Sequence, residues 1–343
     1  MRKEQGFTQR GFADILGISD KTVSKWECGN GMPELSLMLP LCDALKINLN
    51  ELFSGERLDD TNYKKNAEEN MLCLLRETEK IKTNIVGGKA LGEVQKVQLN
   101  VNSVHKTNRE FWGTSGGEAL GVTALPSYGG YMSEKKLNLL GDLSGKRVLE
   151  IGCGNGRSLK YAKDLGASEL WGIDISPEQL DRAQEFLSSQ NVRANLICSP
   201  MENDCGIPTD YFDTVYSVFG IGWTTDLDAT CMRINAYLKT DGALIFSWSH
   251  PIHKCPLFED GKLIFSNPYF DESWYSVTIC DQEIMLSNRM MSTYINALAA
   301  NGFMIETLIE SGDDDLRNAD SGSFSDKAKI VPVGFVIKAR KIR

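Results

Sequence analysis

After Lys146, short strand-like and helix-like segments alternate regularly along the chain. β-Branched runs predict strands, and apolar residues at helical spacing predict helices. The predicted strands cover residues 147–151, 170–173, 195–198, 213–217, 243–248, 304–309 and 334–339. The predicted helices cover residues 156–165, 177–188, 226–238 and 292–300. This alternation predicts a doubly wound α/β fold, in which helices cover both faces of a mostly parallel sheet.

The last two predicted strands have no predicted helix between them, which indicates an antiparallel pair at one edge of the sheet. The intervening loop, residues 312–325, is acidic and rich in Ser and Gly, and we expect it to be mobile.

A chain of 343 residues suits two domains, one small and one large. Residues 1–54 predict a small helical domain, and residues 55–95 a polar helical linker ending near Gly87 and Gly88. Residues 96–343 form the predicted α/β domain, with an insertion at about residues 250–287 that would cap one edge of the sheet.

Composition excludes several classes of protein. The nine cysteines form no C-x-x-C pair, a pattern typical of reduced thiols rather than a disulfide framework or zinc ribbon. No apolar run approaches the ~20 residues that cross a bilayer, and no apolar stretch follows the basic N-terminus, so we expect a cytoplasmic protein without membrane contact. A net charge of −9 gives no general attraction to nucleic acid.

The strongest motif lies between the first predicted strand and the helix after it. Glu150 is followed by glycines at alternate positions, Gly152, Gly154 and Gly156. Such glycines permit positive φ and let a ligand approach the backbone closely. Eighteen residues past Gly156, at the end of the next strand, Asp174 is placed to accept hydrogen bonds from both hydroxyls of a ribose.

The spacing of Asp174 alone does not separate dinucleotide binders from other nucleoside binders, but the loop does. Pyrophosphate binders use G-x-G-x-x-G, whereas this loop is E-x-G-x-G-x-G. The Glu150 carboxylate would repel a diphosphate, and it suits a ligand that carries an ammonium group and a sulfonium centre.

Residues 96–343 resemble the class I S-adenosylmethionine-dependent methyltransferases, because Glu150–Gly156 matches their first motif and Asp174 their ribose-binding acid. The resemblance implies a seven-stranded sheet with the last strand inserted antiparallel, S-adenosylmethionine as cofactor and S-adenosylhomocysteine as product. Pro200 stands where the family often has an acid, so we expect the Met201 backbone and the Glu202 side chain to contact the adenine instead. The implied cofactor-binding residues are Glu150, Gly152, Cys153, Gly154, Gly156, Asp174, Ile175, Met201, Glu202 and Ser217.

Methyl transfer from a sulfonium requires alignment and exclusion of water rather than a catalytic triad. His250, just beyond the fifth predicted strand, is either a general base or a loop histidine hydrogen-bonded to a backbone carbonyl. His250, His253 and Cys255 make an incomplete metal site, so no metal is predicted.

Aromatic residues cluster around the predicted ligand edge and the insertion, as packing residues of a cap or as walls of a pocket. They are Phe111, Trp112, Tyr128, Tyr131, Trp223, Tyr269, Phe270, Trp274 and Tyr275. Together they predict an enclosed pocket, with Trp223 facing a small-molecule acceptor that offers an oxygen or nitrogen nucleophile. Nucleic acid is a weaker prediction, because the Pro-Pro-aromatic motif of amino-methylating nucleic-acid enzymes is absent and Cys255-Pro256 reverses the Pro-Cys order of pyrimidine C5 methylation.

Residues 7–27 resemble the helix-turn-helix of phage-repressor-type (XRE-type) regulators. Gly17 makes the turn, Ser19 caps the second helix, and the resemblance implies operator DNA as partner. The predicted core contains Ala13, Leu16, Ile18, Val23, Trp26, Leu45, Ile47, Leu49 and Leu52. The predicted DNA contacts are Gln9, Asp20, Lys21, Thr22, Ser24 and Lys25. Only residues 2–6 precede the motif, which predicts a short first helix.

Residues 1–53 carry six basic and seven acidic side chains, so this module either binds DNA locally or is a vestigial dimerisation unit. Two overall functions therefore stay open. The chain is a small-molecule methyltransferase with a regulatory DNA-binding module, or a transcription regulator whose large domain senses S-adenosylmethionine or S-adenosylhomocysteine. Because such modules usually bind DNA in pairs, a homodimer is a further prediction.

Overall fold

The computed structural model describes residues 2, 6–28, 35–45, 47, 95–114, 123–259, 262–279, 282–310 and 323–342. The N-terminal part contains helices α1 (Gln9–Leu16), α2 (Asp20–Glu27) and α3 (Leu35–Leu45). Thr8 caps α1 by accepting from the Gly11 amide, and Ser19 caps α2 by accepting from the Thr22 amide. The predicted linker lies almost wholly outside the described residues.

The turn between α1 and α2 depends on Gly17, whose φ of +67° lies in the left-handed region. Phe12, Ala13, Leu16 and Val23 are buried against α3, as the amphipathic spacing predicts. The predicted core residues Leu49 and Leu52, and the short first helix over residues 3–5, lie outside the described residues.

The large domain begins with β1 (Gln95–Val97), α4 (Val101–Gly113), β2 (Ser127–Gly129), β3 (Met132–Ser133) and α5 (Glu134–Leu137). It continues with β4 (Arg147–Ile151), α6 (Arg157–Asp164), β5 (Glu169–Asp174), α7 (Pro177–Ser189), β6 (Asn195–Cys198), β7 (Phe212–Val218), α8 (Leu227–Tyr237) and β8 (Leu238–Ser249). The remaining elements are β9 (Pro256–Glu259), β10 (Lys262–Phe265), β11 (Trp274–Ile279), β12 (Gln282–Ser287), α9 (Met291–Ala300), β13 (Phe303–Ile309), α10 (Ser323–Ala328) and β14 (Gly334–Lys341). Two 3-10 segments, Ile221–Trp223 and Pro251–Lys254, follow β7 and β8.

The main sheet has seven strands in the order β13-β14-β8-β7-β4-β5-β6. Strands β4 to β8 are parallel, and β14 pairs antiparallel with both β8 and β13. The predicted seven-stranded sheet with an antiparallel edge is confirmed. The prediction that no helix separates the last two strands is wrong, because α10 lies between β13 and β14. Residues 312–322 of the predicted mobile loop lie outside the described residues.

Both faces of this sheet are buried, because successive residues along a strand point to opposite sides and helices cover each side. In β4, Val148 belongs to one apolar cluster and Leu149 and Ile151 to the other. Ile245 and Phe246 of β8 divide in the same way. The strands are therefore continuously apolar, which explains why the sequence shows short apolar runs rather than alternation.

A cap follows directly from the carboxyl end of β8. It consists of the antiparallel pair β9–β10 and a three-stranded sheet in the order β1-β11-β12. Helix α4 holds this sheet through Asn108, whose side-chain amide donates to the Met285 carbonyl (2.8 Å) and accepts from the Met285 amide (2.9 Å). Gln179 of α7 donates to the Trp112 carbonyl at 2.9 Å, which connects α4 to the main domain. Among the helices described, none is long and apolar enough to cross a bilayer.

Candidate active site

A cavity of about 480 Å³ lies where the carboxyl ends of β4, β5 and β7 face α4 and the cap. This position at the carboxyl edge of a parallel sheet is where open α/β folds bind ligands. The predicted site residues that line the cavity are Glu150, Gly152, Cys153, Gly154, Asp174, Ile175, Met201, Glu202 and Trp223. Gly156, Ser217 and His250 are not among the cavity residues.

The glycine loop after β4 is folded tightly against its neighbours. Gly152 and Gly154 have positive φ values of 70° and 47°. The amides of Gly152 and Cys153 both donate to the Ile173 carbonyl, at 2.8 and 2.9 Å. A Cβ atom on Gly152 would lie 3.0 Å from the Gly220 Cα atom. The backbone itself therefore forms this wall of the cavity, as the alternating glycines predict.

Gly156 and Ser217 support the loop from behind. A Cβ atom on Gly156 would meet Ala183 and Leu187 of α7, each at 3.2 Å, so this glycine permits close packing of α6 against α7. The Ser217 hydroxyl is fully buried and donates to the Ile151 carbonyl at 2.8 Å. Both residues therefore make structural contacts in the described chain, and their contact with the cofactor stays a prediction.

Glu150 is a buried carboxylate at the cavity wall, with only 2% of its surface exposed. Its Oε2 atom has no hydrogen-bond partner within the described part of the chain. Burial raises the pKa of Glu150 well above its ordinary value, hydrogen bonding to Ser158 and Tyr216 opposes the rise, and the nearby Asp174 carboxylate adds to it. A cation placed here would supply the missing partner and favour the ionised form.

Asp174 faces the cavity from the end of β5. Its Oδ2 atom accepts from the Gly154 amide at 2.8 Å, and its Oδ1 atom accepts from the Ser176 amide at 2.9 Å. Burial raises the pKa of Asp174, while these backbone hydrogen bonds oppose the rise. Each carboxylate oxygen can accept more than one hydrogen bond, so the carboxylate is oriented and still able to accept from ligand hydroxyls.

Glu202 is already engaged by two side chains. The His105 Nε2 atom lies 2.8 Å from Glu202 Oε1, and the Thr225 amide donates to the same oxygen at 3.1 Å. Burial raises the pKa of Glu202, but the hydrogen bonds from His105 and Thr225 outweigh it and hold that pKa below its ordinary value. The sequence gives no sign of this network, because His105 and Glu202 lie 97 positions apart.

His250 is directed away from the cavity. Its Nε2 atom lies 2.6 Å from Glu310 Oε1, and its Nδ1 atom accepts from the Ile252 amide at 3.1 Å. Burial lowers the pKa of His250, although the Glu310 carboxylate opposes this. Of the two alternatives for His250, this position favours the loop histidine, although its Nδ1 atom accepts from a backbone amide and caps a 3-10 segment. His253, three residues later, lines the cavity.

Three tryptophans form a ladder along the cavity wall. Trp112 and Trp223 pack edge to face with centroids 5.2 Å apart, and Trp223 and Trp248 do the same at 5.9 Å. Of the predicted aromatic set, the cavity residues are Trp112, Trp223, Tyr269 and Tyr275. Tyr128 is instead buried against Glu134, and Phe270 is 82% exposed.

No three His, Cys, Asp or Glu side chains within the described ranges lie close enough to hold a metal ion.

In the N-terminal domain, α2 presents a polar surface. Asp20, Lys21 and Lys25 are exposed, and Thr22 and Ser24 are half-buried. The Gln9 amide, which was expected near a phosphate, donates to Glu27 Oε2 at 2.7 Å. Five of the six residues predicted to contact DNA therefore lie on α2. Gln9 is hydrogen-bonded to Glu27, the last residue of that helix.

Comparison with known families agrees with both halves of this description. Residues 148–242 match the model of a methyltransferase domain, and residues 1–52 match that of a helix-turn-helix. The large domain is therefore similar to methyltransferase domains, and the N-terminal residues are similar to helix-turn-helix domains. The methyltransferase match begins in β4, directly before the glycine loop that lines the cavity.

Similarity to individual proteins is concentrated in the methyltransferase domain. An uncharacterised protein of Haemophilus influenzae is 29% identical over 220 residues, covering 60% of this chain and 85% of that protein. The 18S rRNA (guanine-N(7))-methyltransferase of Schizosaccharomyces pombe is 33% identical over 34% of this chain and 44% of its own length. A structure described as a putative S-adenosylmethionine dependent methyltransferase from Listeria monocytogenes is 26% identical, has a TM-score of 0.52, and is matched over 61% of this chain and 95% of its own.

Proposed function

We propose that the methyltransferase domain binds S-adenosylmethionine and transfers its methyl group to an oxygen or nitrogen atom of a small-molecule acceptor. One observation carries this proposal. Glu150 places a buried carboxylate oxygen without a partner beside a loop of positive-φ glycines, at the edge of the sheet where the cavity opens. A buried carboxylate without an opposite charge is costly to ionise, and a cationic ligand offsets that cost.

The residues present fit this cofactor. Glu150 is placed to accept from an ammonium group, Asp174 from the ribose hydroxyls, and the Met201 segment lines the cavity beyond them. S-Adenosylmethionine supplies a methyl group on a positively charged sulfur. Its C–S bond breaks as the acceptor oxygen or nitrogen forms the new bond to carbon, and S-adenosylhomocysteine leaves as the neutral thioether.

The cap and the tryptophan ladder support a small acceptor. They enclose the cavity with apolar surface, which excludes water from the line of transfer. Direct transfer needs no base when the acceptor atom is already deprotonated, so the displacement of His250 from the cavity is compatible with the proposal. The acceptor itself does not follow from relatives, since this chain spans only 44% of the rRNA methyltransferase that it matches.

The purified chain should bind S-adenosylmethionine and S-adenosylhomocysteine in calorimetry, and should transfer label from methyl-labelled S-adenosylmethionine to a fraction of a metabolite extract. An Asp174→Ala variant should lose both, because the ribose hydroxyls lose their acceptor. Lys106→Ala, at an exposed position on α4, is the control and should retain both. Heat from a nicotinamide dinucleotide, with none from S-adenosylmethionine, would overturn the proposal.

A second outcome would indicate the sensor function. Tight binding of S-adenosylmethionine without transfer to any fraction, combined with retention of specific DNA that responds to the bound nucleoside, would make the large domain a regulatory one. Glu150 and Asp174 serve both functions, so only the transfer assay separates them.

We further propose that the helix-turn-helix domain binds operator DNA through α2. Lys21 and Lys25 are exposed on this helix, and cations there would contact phosphates or base edges. Selection from randomised duplexes should enrich a defined sequence, and a Lys21→Ala/Lys25→Ala variant should bind it with a salt dependence reduced by about two phosphate contacts. Lys106→Ala should bind like the parent chain. Failure to enrich any sequence would favour the dimerisation role.

A further inference from the structure

Lys254 and Arg289 are two of the cationic side chains that line the cap side of the cavity. Lys254 belongs to the 3-10 segment after β8, and Arg289 lies between β12 and α9. The Lys254 amine donates to the Tyr275 hydroxyl at 2.7 Å and to the Asn288 amide oxygen at 3.0 Å. Arg289 donates to the carbonyl oxygens of Gly222 (3.1 Å) and Thr224 (2.5 Å). All four of these partners are neutral.

Two of the carboxylates that line the cavity are engaged by other side chains. Asp271 pairs with Lys96 at 2.5 Å, and Glu202 with His105 at 2.8 Å. In the described part of the chain, no carboxylate forms an ion pair with Lys254 or Arg289. Burial and, to a smaller extent, the Arg289 charge lower the pKa of Lys254 to about 7, while Cys255 opposes the shift.

An uncompensated pair of cations in a partly closed cavity is unfavourable unless an anion joins them. The neutral contacts orient the Lys254 amine but leave its charge unbalanced. The cap side of the cavity therefore carries positive charge. The sheet side carries the carboxyl groups of Glu150 and Asp174. The two ends of the cavity therefore select ligands of opposite charge.

We propose that the methyl acceptor is a small organic anion whose carboxylate, or comparable anionic group, is seated by Lys254 and Arg289. This inference rests on the proposed methyltransferase function and adds the charge class of the acceptor. Lys254 acts here as a binding residue and takes no part in the bond changes at the methyl group. Tyr275 and Asn288 position its amine.

The probes are benzoate, phenyl phosphate and benzamide, which share an aromatic ring and differ in charge. Each is titrated into the chain saturated with S-adenosylhomocysteine, and the fluorescence of the cavity tryptophans reports binding. Each anion should bind at least about tenfold more tightly than benzamide. Lys254→Met should abolish this preference, and Lys254→Arg should retain it. Lys106→Met, which removes an exposed charge outside the cavity, should leave it unchanged.

The pH dependence gives a readout independent of catalysis. Because Lys254 titrates near pH 7 in the free cavity, benzoate affinity should fall about tenfold between pH 6 and pH 8. With Lys254→Arg it should be flat, since arginine stays protonated. The titratable groups packed around the amine are Arg289, Cys255 and Tyr275, and burial raises the pKa of Tyr275 far beyond this window.

The two proposals fail in different ways. Absence of S-adenosylhomocysteine binding in calorimetry would overturn the proposed function and this inference together. Normal S-adenosylhomocysteine binding with equal affinity for benzamide and the anions, or with no anion binding up to the solubility limit, would overturn the anion site alone. Should Lys254→Met fail to fold, the parent chain and Lys254→Arg decide the question by their pH profiles.

Discussion

Replacing Glu150 by glutamine is expected to weaken S-adenosylmethionine binding about 10–100-fold, because a hydrogen bond to an ionised group contributes roughly 1.5–3 kcal/mol. The same substitution should raise the melting temperature of the unliganded protein by a few degrees, since it removes a buried carboxyl group that ionises more readily in the unfolded chain than in the folded protein. Calorimetric titration and thermal melting of the two proteins test both halves of this expectation.

The stability gain should depend on pH with a definite sign. The pKa of Glu150 is raised on folding, so below its unfolded value of about 4.3 the carboxyl group is protonated in both states and costs nothing. As pH rises above that value, only the unfolded chain readily releases the proton, and the folded state loses stability. The difference in melting temperature between Glu150→Gln and the parent should therefore be present at pH 7 and vanish toward pH 4.

Glu134 offers a matched control. It is equally buried, at 3% exposure, but it accepts from the Tyr128 hydroxyl (2.8 Å) and from the amides of Leu139 and Leu140 (both 2.9 Å). Glu134→Gln should lower the melting temperature and leave cofactor affinity unchanged, because it disrupts a satisfied network away from the cavity. A Glu150→Gln protein that melts lower than the parent and binds cofactor normally would contradict the role assigned to Glu150.

Replacing Gly152 by alanine is expected to lower cofactor affinity about 100-fold and to destabilise the fold by roughly 2–4 kcal/mol. The new methyl group would be held at a φ of 70° and would lie 3.0 Å from the Gly220 Cα atom, so either the loop or the end of β7 must move. Both segments line the cavity. Denaturant unfolding and calorimetric titration measure the two effects.

Gly141→Ala separates backbone strain from contact. Gly141 has a similar φ of 63°, but a Cβ atom there would meet nothing within 4 Å. Its substitution should cost only the left-handed strain of about 1–2 kcal/mol and leave cofactor binding intact. Equal losses of stability in the two variants would show that the close approach to Gly220 has no energetic consequence.

Much of the main sheet was predictable because its signals are local. The predicted strands over residues 147–151 and 195–198 match β4 and β6 exactly in their bounds. The glycine loop was also predictable, because the positive φ values at Gly152 and Gly154 favour glycine at these positions. The helix-turn-helix was predictable for the same reason, through Gly17 and the Ser19 cap.

The acceptor side of the cavity was not predictable, because its contacts join distant segments. Lys254 meets Asn288 across 34 positions, and Asn108 meets Met285 across 177. The spacing of apolar residues along the sequence gives no information about such pairs. His250 shows this limit most directly, since its position after β8 left a catalytic and a structural role open, and its Nε2 atom contacts a carboxylate 60 positions later in the chain.

The three-residue strand β1 connects the start of the large domain to the cap sheet. The chain that leaves the helix-turn-helix domain enters the methyltransferase domain at β1, which is an edge strand of the cap sheet and pairs with β11 through Gln95, Lys96 and Val97. Strand β11 carries Tyr275, whose hydroxyl accepts a hydrogen bond from the Lys254 amine. The first described strand after residue 47 therefore pairs directly with a strand whose Tyr275 lines the cavity.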